Sequence, residues 1–123
     1  MKLSSVTHRD RILGGLWGSL VGDALGVPVE FKSRAAVQAD PVTDMRGFSL
    51  WCLLNSRTYD DCVLKAVNLG GDTDTTGCVA GGLAGVLYGV GAIPLRWREA
   101  LAKREEVAKL FERFADLVEP EQR

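Results

Sequence analysis

The stretch Asn68-Leu69-Gly70-Gly71-Asp72-Thr73-Asp74-Thr75-Thr76-Gly77 holds the densest set of chemically useful groups in the chain. Asp72, Asp74 and Thr75 place two carboxylates two positions apart, with a hydroxyl directly after the second. These are hard oxygen donors, which suit Mg²⁺, Mn²⁺ or Ca²⁺ rather than zinc or copper. Gly70 and Gly71 let the backbone turn sharply enough to aim both carboxylates at one point. The same spacing serves a helix start equally well, with Asp72 or Asp74 as the cap and Thr75 and Thr76 in the first turn. No Gly-Lys-Ser/Thr follows, so the loop is not a phosphate-binding P-loop.

The elements that must position these groups are helical; no alternation long enough for a sheet occurs. The expected fold class is an all-α, compact helical domain. Ile12, Leu13, Leu16, Trp17, Leu20 and Val21 cover about half of a helix running from about Asp10 to Leu25. Gly14, Gly18 and Gly22 form a bare ridge beside that face. Glycine costs about 1 kcal/mol per helix position relative to alanine, so the ridge predicts a second backbone packed closely against it. Gly26-Val27-Pro28 is expected to break this helix, and Val29 to Met45 reads as a connection, with Ser33 capping a short helix and Asp40-Pro41 a turn. Ser49 to Leu54 is a brief apolar helix. Thr58 then caps a helix with Asp60 and Asp61 in its first turn and Val63, Ala66 and Val67 as its buried stripe. Gly70-Gly71 ends that helix.

The next helix, from near Asp74 to about Gly89, has Val79, Leu83, Val86, Leu87 and Val90 on one side and Gly81, Gly85 and Gly89 on the other. Both sides are expected to be covered, which places this helix at the centre of the fold. Pro94 opens the last segment, where Val107, Leu110, Phe111, Phe114, Leu117 and Val118 make an amphipathic helix.

With 123 residues there is room for one domain and one core. Fifteen basic residues against sixteen acidic ones leave no basic stripe for nucleic acid. Three cysteines (Cys52, Cys62 and Cys78) without CxxC spacing, and a single histidine, exclude a disulfide framework and a zinc site. A reducing, cytoplasmic setting is expected. Thr75 to Leu95 carries no charge and is long enough to span a bilayer. Nearly half of it is glycine or alanine, however. That composition also marks closely packed soluble helices, so no membrane segment is expected.

Two blocks resemble the ADP-ribosylglycohydrolase family, the dinitrogenase-reductase-activating glycohydrolase type. Arg11-Ile-Leu-Gly-Gly-Leu-Trp-Gly-Ser-Leu-Val-Gly-Asp-Ala-Leu-Gly-Val-Pro-Val-Glu-Phe31 is similar to that family's opening helix and following loop. Ala66-Val-Asn-Leu-Gly-Gly-Asp-Thr-Asp-Thr-Thr-Gly77, with the small-residue helix to Gly89, is similar to its C-terminal metal motif and central helix. The resemblance implies an all-helical fold holding two divalent ions, Mg²⁺ or Mn²⁺, with Asp72, Asp74 and Thr75 as the C-terminal ligands. It also implies that Glu30 is a catalytic glutamate on a mobile loop near the substrate ribose, and that Asn68, Gly70 and Gly71 border the substrate. Asp23 matches a recurrent aspartate whose role is read as structural capping. The implied partner is an ADP-ribosylated protein or ADP-ribose, and the reaction is metal-dependent hydrolysis of the glycosidic bond to a protein side chain.

The departure from the family is equally specific. Its N-terminal Thr-Asp-Asp-Thr motif does not occur; Thr43-Asp44-Met45 lacks the second aspartate, and Asp60-Asp61 falls in a helix start. Family members are also roughly twice this length or more. The chain therefore reads as a single domain, 1–48 resembling the family's N-terminal part and 49–123 its C-terminal part, joined across an internal deletion around Gly47 to Trp51. Weak cation binding and impaired hydrolysis are expected. The alternative is a non-catalytic helical structural or interaction module. Loss of the intervening helices should expose apolar surface, so a homo-oligomer is expected.

Overall fold

The computed structural model describes residues 5–39, 48–68 and 73–119. Helices α1 (His8–Ala39), α2 (Phe48–Leu54), α3 (Tyr59–Val67), α4 (Thr73–Tyr88), α5 (Leu95–Glu99) and α6 (Arg104–Val118) follow in order, with a 3₁₀ turn at Val90–Ala92. No strand occurs among the described residues, in keeping with the all-α expectation.

Helix α1 opens on a reciprocal cap. The Asp10 N–H donates to Thr7 Oγ1 and the Thr7 N–H donates to Asp10 Oδ2, both at 3.0 Å, which satisfies donors that the first turn leaves without partners. The helix does not stop at Gly26-Val27-Pro28 as expected, but continues to Ala39. Proline's fixed φ is itself helical, and the following Glu30, Lys32, Arg34, Ala35, Ala36, Gln38 and Ala39 are strong helix formers. Ser33 is therefore inside a helix and does not start one. Asp40-Pro41 and Thr43-Asp44-Met45 lie outside the described residues.

The central feature is the antiparallel seam of α1 against α4. Gly14 meets Gly85 and Gly89, Gly18 meets Gly81, and Gly22 meets Gly77, so residue numbers rise on one helix as they fall on the other. A Cβ on any of Gly14, Gly18, Gly22, Gly77, Gly81 or Gly85 would overlap backbone of the opposite helix. The spacing of i, i+4, i+8 on both helices is what brings two bare faces into register. Arg11 of α1 also donates to the carbonyls of Val86 and Leu87 (2.9 and 2.8 Å), which are among those that the end of α4 leaves open.

Helix α3 closes a second side of α4. Thr58 caps it as expected, accepting from the Asp61 N–H at 3.2 Å. Tyr59, Cys62, Val63, Ala66 and Val67 are buried there against Ala80 and Ala84. The Tyr59 hydroxyl donates to the Gly18 carbonyl at 2.8 Å, tying α3 to the seam.

The expectation that both sides of α4 are covered fails. The bulky side of α4 is not covered: Val79, Leu83 and Val86 are 48%, 42% and 47% exposed. Helix α6 does not lie over any of that row but packs on α1. Phe111 sets its ring edge-on to Trp17 at 5.1 Å. Arg9 bridges Glu112, Asp116 at 2.8 Å and Glu119 at 2.7 Å. These two contacts direct α6 to α1 and leave its own Leu110, Phe114, Leu117 and Val118 exposed.

Candidate metal half-site

Helix α4 begins at Thr73, which places Asp74 and Thr75 in its first turn, where the macrodipole favours a carboxylate. Asp74 Oδ1 accepts the Thr75 N–H at 2.9 Å, so this carboxylate turns back over the helix start. Asp74 is half-buried and Thr75 exposed. The first turn of α4 is tied to α2, whose Ser49 hydroxyl donates to the Thr76 carbonyl at 3.1 Å. Asp72, Gly70 and Gly71 lie outside the described residues.

The seam brings a second carboxylate to the same end of α4. Gly22 abuts Gly77, and the next residue, Asp23, comes close enough to Cys78 to act on its thiol together with Asp74. Burial pushes the Cys78 thiol up first, and the two carboxylates add to it; a hydrogen bond with Ser19 opposes them. Asp23 is thus in the interior of α1 and does not cap its end. Sequence reasoning singled out Asp23 and Asp74 separately but missed that Ser19 and Cys78 join them. The pairing of Gly22 with Gly77 was the signal that could have predicted it.

Asn68 is the C-cap of α3, and its side-chain Nδ2 donates to the Leu64 carbonyl at 2.7 Å. Its amide is therefore engaged in ending the helix. Glu30 lies in the continuation of α1, seven residues beyond Asp23, on a helix rather than on the expected loop.

Thiol chemistry finds no support. Cys52 and Cys62 are buried, and burial, then the Cys52 and Asp61 charges, push the Cys62 thiol up to about 11. A thiol held protonated at neutral pH is a poor nucleophile and a poor metal ligand. Among the described residues no three of His, Cys, Asp and Glu converge as a metal cage. The donors that the motif supplies are hard oxygens of the right kind for Mg²⁺ or Mn²⁺, and they are few. Such a set fits an ion that keeps most of its water.

The family model described as ADP-ribosylglycohydrolase matches residues 4–49 and again 47–123. An ADP-ribosylarginine hydrolase, Tri1, from Pseudomonas putida is 37% identical over 86 residues, which cover 69% of this chain and 23% of that protein. An ADP-ribosyl-[dinitrogen reductase] glycohydrolase from Rhodospirillum rubrum is 49% identical over 49 residues, 40% of this chain and 17% of its own length. The ADP-ribosylhydrolase ARH3 of Danio rerio is 47% identical over 55 residues, 45% of this chain and 15% of its own. The chain spans less than a quarter of the length of each of these relatives. No solved structure matches it.

Proposed function

The chain belongs to the ADP-ribosylglycohydrolase family, and from that premise we propose that it keeps one half of a divalent-cation site for ADP-ribosyl hydrolysis and has lost the other. Asp72, Asp74 and Thr75 would hold a single Mg²⁺ or Mn²⁺ weakly. Asn68, Gly70 and Gly71 border the same loop, and Glu30 would lie on the substrate side. The substrate class is an ADP-ribosylated protein side chain or ADP-ribose itself. A bound ion supplies polarisation of a water and of ribose hydroxyls as the glycosidic bond breaks. The residues of this chain do the rest. Asp74 orients against the first turn of α4, the α1–α4 seam fixes the distance between Asp23 and that turn, and Glu30 steers or accepts a proton.

The observation that carries this reading is the Gly-Gly-Asp-x-Asp-Thr motif, whose Asp74 and Thr75 fall in the first turn of α4, without a Thr-Asp-Asp-Thr partner anywhere in the sequence. The two matched segments, meeting at residues 47–49, support an internal deletion as the cause. Release of ADP-ribose from modified arginine or serine should therefore fall far below that of a full-length relative assayed alongside. Metal-dependent turnover equal to the relative's would mean that other residues complete the site.

A second reading, a non-catalytic helical interaction module, is favoured by the open row Val79, Leu83 and Val86 that starts one helical turn beyond Thr75. Retained binding of a protein target by a chain with Asp72→Ala and Asp74→Ala would support it.

A further inference from the structure

Between α5 and α6 the chain turns at Ala100–Lys103, and Lys103 adopts a left-handed conformation (φ 55°, ψ 29°) as the N-cap of α6. It is the only non-glycine residue with positive φ among those described. Left-handed backbone is unfavourable for a side chain with a Cβ, and Lys103 makes no side-chain capping bond that would offset it. Nothing in the sequence asks for a break here. Leu95 to Val118 contains no glycine or proline, and it is dominated by Ala, Leu, Glu, Lys and Arg, the residues that most favour continuous helix. The turn is also poorly filled. Leu101 and Ala100 line an apolar cleft of about 230 Å³ with Val21, Ala24, Leu25 and Trp97.

Helix α6 is held mainly by α1, through Trp17–Phe111, the buried Ala115 and the Arg9 cluster with Glu112, Asp116 and Glu119. Every one of these contacts joins α6 to a distant part of the chain across one strained hinge. That is the arrangement in which an identical element from a second copy can take the same place.

We propose that α5 and α6 straighten into one helix through Lys103 and that α6 docks on α1 of a second copy, giving an exchanged dimer. The α1 surface that receives α6 is the one already complementary to it. The exchange therefore keeps the Arg9 cluster and the Trp17–Phe111 contact, and it releases the left-handed turn in both chains. This inference stands apart from the metal reading and does not depend on it.

Light scattering of the wild-type chain at micromolar concentration should give twice the monomer mass. Lys103→Gly, which removes the strain of the closed turn and weakens the straight helix, should raise the dimer dissociation constant about tenfold. The decisive arm uses charge reversal. One chain carries Arg9→Glu; the other carries Glu112→Lys, Asp116→Lys and Glu119→Lys. Each alone sets like charges between its own α1 and α6. Refolded together from urea, they should form a 1:1 heterodimer with a higher melting temperature than either alone, because only exchange pairs opposite charges at both docking sites. Co-refolding keeps the test valid where a single variant does not fold. A monomeric wild type at all concentrations, an unchanged dimer with Lys103→Gly, or a mixture that behaves as the sum of its two parts would each overturn the exchange.

Discussion

Helix α4 presents two faces that the protein treats in opposite ways. On one, Gly77, Gly81 and Gly85 lie against Gly22, Gly18 and Gly14 with no room for a methyl group. On the other, Val79, Leu83 and Val86 stand about half-exposed. By residue type alone the second face is the more hydrophobic and should be the buried one. The small side chains win because they let two backbones approach, and dense contact over a long seam outweighs the bulk of individual side chains. The larger residues form the face that longer relatives have chain available to cover.

The largest effect is expected at the seam. Gly85→Ala would drive a Cβ into the Gly14 carbonyl, where neither backbone can give way without the whole helix shifting. We expect a loss of about 3 kcal/mol or more, a large part of a typical domain's stability, read by urea denaturation. Gly91→Ala is the control: a Cβ there meets nothing within 4 Å, and the midpoint should not move.

A middle-sized effect belongs to the α3 wall of the seam. The unfolded chain releases the Cys62 proton near 9, whereas the folded chain holds it to about 11; burial also raises the Tyr59 phenol. The unfolded state thus binds fewer protons in that window, and stability must fall as pH rises through it. The melting temperature should drop by about 5 °C between pH 8.5 and 10.5, and Cys62→Ala should flatten part of that slope. An equal drop in the variant would place the titration elsewhere.

The smallest effect is expected on the open face. Leu83→Gln should leave stability within about 0.5 kcal/mol while making the surface less adhesive. A large loss there would mean that the row is covered in solution.

The seam and the Thr58 cap were legible in the sequence because each rests on local rules. Three glycines four apart announced a close approach, and Thr58 before Asp60 and Asp61 announced a helix start. The course of α1 beyond Pro28 was not legible, because the punctuation of Gly26-Val27-Pro28 competed with a following stretch in which seven of eleven residues are strong helix formers, and short-range signals do not rank the two. The destination of α6 was hidden for a different reason. Its apolar face fits any apolar neighbour, and what selects α1 is Arg9, more than a hundred residues from the carboxylates it meets. Of the candidate site, Asp74 and Thr75 were legible from the motif, whereas the approach of Asp23 and Ser19 required the register of the seam. No helix among the described residues is long and apolar enough to cross a membrane. The uncharged run from Thr75 to Leu95 is instead α4, the 3₁₀ turn and the start of α5.

Titration calorimetry with Mn²⁺ is the sharpest test of the proposed half-site beside the seam. Few ligands and a hydrated ion predict weak binding, with a dissociation constant on the order of 1 mM, one ion per chain, and no detectable heat once Asp72→Ala and Asp74→Ala are introduced together. Binding that survives both substitutions would place the ion elsewhere, and micromolar affinity for two ions per chain would mean that the site is whole.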